Sequence, residues 1–173
     1  MAKEAKTNAM RMLDRQKVKY EALSYECDEF IDGIHCADIT GAPYDQSFKT
    51  LVLVSAMEHN AVMRPVVQLT SHGITFDRIP CREDGSMIPE QVEPLIRPNT
   101  RAIVTLHSSN VCGTCMPLAE LGEICRKHYL FFIVDTAQTA GILPVDMEKF
   151  HIDALAFTGH KGLRGPQGTG GFL

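Results

Sequence analysis

The chain has 173 residues, 45% hydrophobic and 22% charged, with a formal charge of -4. That length can bury one domain-sized core, and the charge leaves no broad basic footprint for nucleic acid. No run is long and apolar enough to span a bilayer, and the opening MAKEAKTNAMRMLDRQ lacks the apolar core and cleavage site of a signal peptide.

From Thr7 to Tyr20, apolar residues Ala9, Met10, Met12, Leu13 and Val18 fall at roughly helical spacing. YEALSY then reads as a strand, and DITGAPYDQSFKTLVLVSA passes through turns into a β-rich run, Leu51 to Ser55. EHNAVMRPVVQLTSHG reads as a helix ending at Gly73, with Pro65 predicting a kink or a late start. ITFDRIP alternates like a strand, and IPEQVEPLI suggests a short helix. RAIVTLH has a buried-strand pattern, and PLAELGEICRKHY is an amphipathic helix opened by Pro117. LFFIVD, IDALAF and GTGGFL supply three further strands. Repeated strand–helix–strand units predict a parallel, doubly wound α/β sheet covered on both faces.

Ligands of such sheets collect at the carboxyl ends of the strands. Three polar groups follow predicted strands: His107 to Asn110, Asp135 to Gln138, and Thr158 to Lys161. They point to one site. A phosphate-binding P-loop needs its glycines ahead of a Lys-Ser/Thr pair, whereas here five glycines follow Lys161. A lysine just beyond a buried strand, among glycines that clear its path, suits a Schiff base with a carbonyl cofactor. Pyridoxal phosphate also needs a partner for its ring nitrogen, and Asp135 at the end of LFFIVD is placed for that. Taken singly, Asp135 also reads as a helix cap and Lys161 as a solvated loop charge.

The six cysteines, in a chain without an export signal, read as thiols of a cytoplasmic protein. Cys112 and Cys115 form a C-x-x-C, but no second pair completes a zinc site. Packing is the favoured reading, and no metal is expected. Cys81, Cys125, His72, His107, His128 and His151 suggest nothing specific.

The stretches SAMEHNAVMRP, HSSNVCGT, IVDTAQTAGILPVDM and IDALAFTGHKGLRGPQGTGG, taken in this order, resemble class V, fold-type-I pyridoxal-phosphate enzymes. The likeness runs over residues 53–173 and is greatest to the cysteine desulfurase and selenocysteine lyase branch. It implies an incomplete aminotransferase-like large domain, with a mostly parallel sheet and helices on both faces. It implies pyridoxal 5'-phosphate as cofactor and L-cysteine or L-selenocysteine as substrate, with alanine and an enzyme persulfide as products of the cysteine reaction. By the same resemblance Lys161 is the Schiff-base lysine and later the base at the substrate α-carbon. Asp135 pairs with the pyridine nitrogen, Gln138 with the phenolic oxygen, and Thr158 and His160 with the phosphate. His59 stacks on the ring and shuttles protons, and Asn110 lies beside the cofactor oxygen and the incoming amino acid. A homodimer is implied as well.

Residues 1–52 carry a second resemblance, through KTNAMRMLD, YECDEFIDGIHCAD and SFKTLV, to bacterial Cys-tRNA(Pro) deacylases of YbaK/EbsC type. It implies a partial α+β segment, with Lys49 in a tRNA-editing pocket. The persulfide cysteine, the substrate-carboxylate arginine and the phosphate cup of the desulfurase pattern have no counterpart here. The leading expectation is therefore a truncated, weakly active desulfurase-type enzyme. A tRNA-editing hydrolase and a non-catalytic hybrid fragment are the rivals.

Overall fold

The computed structural model describes residues 13–21, 41 and 50–173. The chain divides into two compact units, Met1–Ser47 and Phe48–Leu173. Within the first, residues 13–15 close a helical turn, and the Val18 N–H donates to the Leu13 carbonyl at 3.0 Å. Residues 7–12 of the expected Thr7–Tyr20 helix, residues 22–25 of YEALSY, and Lys49 lie outside the described residues, and residues 18–20 are not helical.

The second unit is built on a six-stranded sheet in the order β2-β1-β3-β4-β5-β6. Its strands are β1 (Leu51–Ser55), β2 (Thr75–Ile79), β3 (Thr100–Leu106), β4 (Phe131–Asp135), β5 (Ala154–Thr158) and β6 (Gly170–Phe172). The pairs from β2 through β5 are parallel, and β6 alone runs antiparallel, against β5. The sheet is thus mostly parallel, as the resemblance implied, with the one reversal at its β6 edge. The short connection through residues 159–169 holds no helix, and a parallel crossover needs a dozen or more residues.

Both faces of the sheet are apolar, which is why the strands read as nearly unbroken hydrophobic runs. On one face Leu51, Leu53, Ile103, Phe132 and Val134 pack with Leu118, Leu121 and Cys125 of helix α2 (Leu118–Lys127). On the other, Val54 and Val104 meet Val66 of helix α1 (Asn60–Leu69), with Val52, Val62, Met63, Phe76 and Ile133 around them. Successive residues of β1 thus serve opposite cores, as the two-residue period of a strand requires.

Helix α1 starts at Asn60, directly after its cap His59, so Pro65 does not delay it. Pro65 lies in the second turn and forfeits the one hydrogen bond its missing N–H would make. IPEQVEPLI forms two single 3-10 turns, Pro89–Gln91 and Glu93–Leu95, instead of the expected helix. Pro94 removes a donor there.

Helix α2 comes unusually close to the segment before β5. A β-carbon on buried Gly122 would lie 1.9 Å from the Phe150 carbonyl oxygen, a backbone atom that cannot rotate away. Gly to Ala in a free helix gains about 1 kcal/mol. Here the overlap costs roughly 3 kcal/mol, and overpacking wins. Gly122→Ala is expected to lower stability by about 2 kcal/mol, seen as an earlier urea midpoint with an unchanged slope.

Candidate active site

Strand register brings the site together. Leu106 on β3 lies opposite Asp135 on β4, and Asp135 opposite Ala156 on β5. Three parallel strands therefore end side by side, and the loops leaving them open onto one cleft of about 380 Å³. Its walls are His59, Ala61, Leu106, Ser108, Asn110, Asp135, Ala137, Gln138, Thr158, His160 and Lys161.

Asp135 is fixed by backbone. Its Oδ1 accepts from the Ala137 N–H at 2.8 Å, and its carbonyl accepts from the His107 N–H at 2.8 Å. The next residue, Thr136, donates to the Ala156 carbonyl from both N–H (2.8 Å) and Oγ1 (2.9 Å). The turn is thus pinned to β5, and one carboxylate oxygen remains for a ligand. Behind it, buried His107 places Nδ1 2.9 Å from Thr139 Oγ1, and burial pushes its pKa down, toward the neutral imidazole.

Asn110 stands on a tight turn closed by Ser109 N–H to the Thr114 carbonyl (2.9 Å) and Gly113 N–H to the Ser109 carbonyl (3.0 Å). His59 caps α1, its Nδ1 accepting from the Ala61 N–H at 3.1 Å. A neutral ring with Nδ1 as acceptor carries its proton on Nε2, which makes His59 a donor at the cleft wall. Thr158 Oγ1 and His160 Nδ1 are 2.7 Å apart.

Lys161 is exposed, and its ammonium forms no salt bridge with the described residues. Its loop is held by glycines. A β-carbon on Gly162 would lie 2.5 Å from the Ala140 carbonyl oxygen, and one on Gly159 would lie 2.2 Å from Thr169 Oγ1. The lysine loop therefore packs directly on the loop that follows Asp135, an approach open only to residues without a side chain.

Seven residues singled out from sequence, His59, Asn110, Asp135, Gln138, Thr158, His160 and Lys161, line this one cleft. Lys49 lies outside the described residues. Cys112 and Cys115 are exposed on the Asn110 turn, while Cys125 is buried, its thiol pushed up to about 12. No group of three or more His, Cys, Asp or Glu residues suited to a metal occurs among the described residues.

Ser108, inside the predicted His107 to Asn110 group but given no role of its own, also lines the cleft, and Glu58, just behind it, was passed over. Glu58 Oε1 accepts from the Leu106 N–H at 2.7 Å and from Ser55 Oγ, while Oε2 is buried without a partner among the described residues. Burial, with the nearby charge of Asp135 adding to it, raises this carboxyl to about 7. Its position beside His59 was the one available signal.

Residues 38–172 match the family model described as aminotransferase class-V. The chain belongs to this family. A putative cysteine desulfurase IscS 1 of Bacillus subtilis (strain 168) is 33% identical over 119 residues, 69% of this chain and 31% of that protein. SspA in complex with cysteine superposes with a TM-score of 0.68 at 32% identity, covering 72% of this chain and 35% of that one. A C-DES mutant with glycine covalently linked to its PLP cofactor gives a TM-score of 0.65 at 30% identity, covering 72% and 34%. The class-V chain thus spans about a third of the length of the curated relatives it matches.

Pyridoxal 5'-phosphate is the cofactor of these class-V enzymes, and the residues of the cleft fit it. The donor set offers an amine for the carbonyl, a carboxylate with a free oxygen for a ring nitrogen, and hydroxyl and imidazole groups for a phosphate. Gly162 and Gly159 let the lysine loop pack closely against Ala140 and Thr169.

Proposed function

We propose that this class-V chain holds pyridoxal 5'-phosphate through Lys161 and serves cysteine desulfurase-type chemistry on L-cysteine, or on L-selenocysteine. The observation that carries the reading is the meeting of Lys161 and Asp135 across one cleft at the ends of β4 and β5. When bound, the cofactor supplies an electron sink for charge developing at the substrate α-carbon.

The protein's own part is binding, orientation and proton movement. Lys161 Nζ would hold the cofactor and, once free, would take the substrate α-proton. Asp135 keeps the ring nitrogen protonated, and Gln138 hydrogen-bonds the phenolic oxygen. Thr158 and His160 hold the phosphate. His59 covers the ring and offers Nε2–H, and Asn110 orients the incoming amino acid. In the net reaction the C–S bond of cysteine breaks and its sulfur passes to a protein thiol, giving alanine and a persulfide. None of the six cysteines of this chain is assigned as that thiol.

The working unit is proposed to be a homodimer. Exposed Ile142, Leu143 and Leu163 flank the lysine loop and give it an apolar surface to share.

The test is to add pyridoxal phosphate, follow the visible absorption of the bound form, and then add L-cysteine and quantify alanine. A cofactor band that L-cysteine changes, with alanine formed, supports the reading; a band indifferent to L-cysteine sinks the substrate assignment. Asp135→Asn sharpens it, because the amide oxygen still accepts from Ala137 while the charge is gone. A hydrogen bond to a charged group is worth about 1.5–3 kcal/mol, so cofactor affinity should fall roughly 10- to 100-fold with the fold intact.

A further inference from the structure

The geometry points to Glu58 as a positioning residue of the cleft, tying the turn that carries His59 to the end of β3, from which Ser108 and Asn110 depart. The β1–β3 ladder stops at the pair Val54 and Val104, while β3 runs two residues further, to Leu106. The Leu106 N–H thus extends past the last strand partner on the β1 side. Glu58 Oε1 takes that bond at 2.7 Å and also accepts from Ser55 Oγ at the end of β1. One carboxyl oxygen does the work of a missing strand, 48 residues away in sequence. The other face of Leu106 looks to Asp135, its register partner on β4, so Glu58 steadies the strand on which the cofactor carboxylate leans.

The clamp works as a carboxylic acid. Oε1 has two donors, and buried Oε2 has none among the described residues. A charge there would be left without compensation, so the proton resides on Oε2. The ionisable groups facing Glu58 are Asp135, whose charge opposes ionisation, and Cys81 just past β2, whose thiol is itself pushed up by burial and by Glu58. Loss of the proton sets a second negative charge near Asp135, and the clamp loosens as pH rises.

The inference rests on the cofactor reading only for its consequence, and its first test needs no cofactor. In the cofactor-free chain, the amide resonances of Leu106 and Asn110 are followed by NMR from acid to alkaline pH. Both should titrate together with a midpoint near 7, lose that step in Glu58→Gln, and shift it to higher pH in Ser55→Ala, which removes a donor to Oε1. Ser55→Ala also keeps the test alive if Glu58→Gln does not fold. A step at Asn110 that persists in Glu58→Gln, or a step at Leu106 alone, overturns the positioning role. In the second test, the ratio of wild-type to Glu58→Gln affinity for pyridoxal phosphate should fall several-fold across the same step. An unchanged ratio also overturns it. Failure of both proteins to bind pyridoxal phosphate, with the amide steps present, instead overturns the cofactor reading and leaves the clamp standing.

Discussion

Lys161→Ala is expected to abolish covalent uptake of pyridoxal 5'-phosphate while leaving the chain as stable as before. The lysine side chain is exposed and in no salt bridge with the described residues, and its loop is held by backbone. The Gly165 N–H donates to the Gly159 carbonyl at 2.7 Å, and the Gly159 N–H to the Thr169 carbonyl at 2.8 Å. Truncating such a surface side chain changes stability by about 0.5 kcal/mol or less. The cofactor bond, by contrast, has no substitute amine on the cleft wall, since Lys161 is the one lysine among its lining residues. Borohydride reduction should therefore retain cofactor on the parent chain and none at this peptide in the variant, with equal urea midpoints. Retention at wild-type level in Lys161→Ala would sink the assignment.

The second large effect is on stability against pH, and it comes from Glu58. Its carboxyl ionises near 4.5 when free and is raised to about 7 in the folded chain. Below the lower value both states hold the proton, and the contribution to stability is complete. Between the two values the unfolded chain releases its proton while the folded chain keeps it. Unfolding is then favoured progressively, and above about 7 the loss levels off. The shift corresponds to roughly 3 kcal/mol across that window. Urea denaturation of the cofactor-free chain should show stability falling from about pH 5 to about pH 7.5, and Glu58→Gln should flatten that slope. A parent and variant with parallel pH curves would refute it.

Much of this arrangement is legible in the sequence, for particular reasons. β1 forms over the predicted Leu51–Ser55 because its first four residues, Leu51 to Val54, are apolar on both faces. The three polar groups beyond RAIVTLH, LFFIVD and IDALAF could be read as one site because parallel strands deliver their ends to one edge. The register of Leu106, Asp135 and Ala156 is the physical form of that rule.

What was misread or missed depended on backbone geometry. IPEQVEPLI has apolar spacing suited to a helix, but Pro94 divides it into two 3-10 turns. The antiparallel direction of β6 follows from a short return loop, and a strand of two glycines and Phe172 carries no pattern that reveals direction. Glu58 was hidden because its partner is the peptide N–H of Leu106, and no residue type advertises a free N–H at a ladder's end. Gly162 and Gly159 were read as clearing a path for the cofactor. Their close contacts are with Ala140 and Thr169, so they also fix where the lysine loop rests.

The central claim is that this chain, about a third the length of the relatives it matches, assembles a cleft that holds the cofactor on Lys161. The most direct measurement is to incubate the purified chain with pyridoxal phosphate, reduce with borohydride and locate the added mass by peptide mapping. A single adduct on Lys161 is the predicted result. Adducts scattered over surface lysines, or none, would contradict the account.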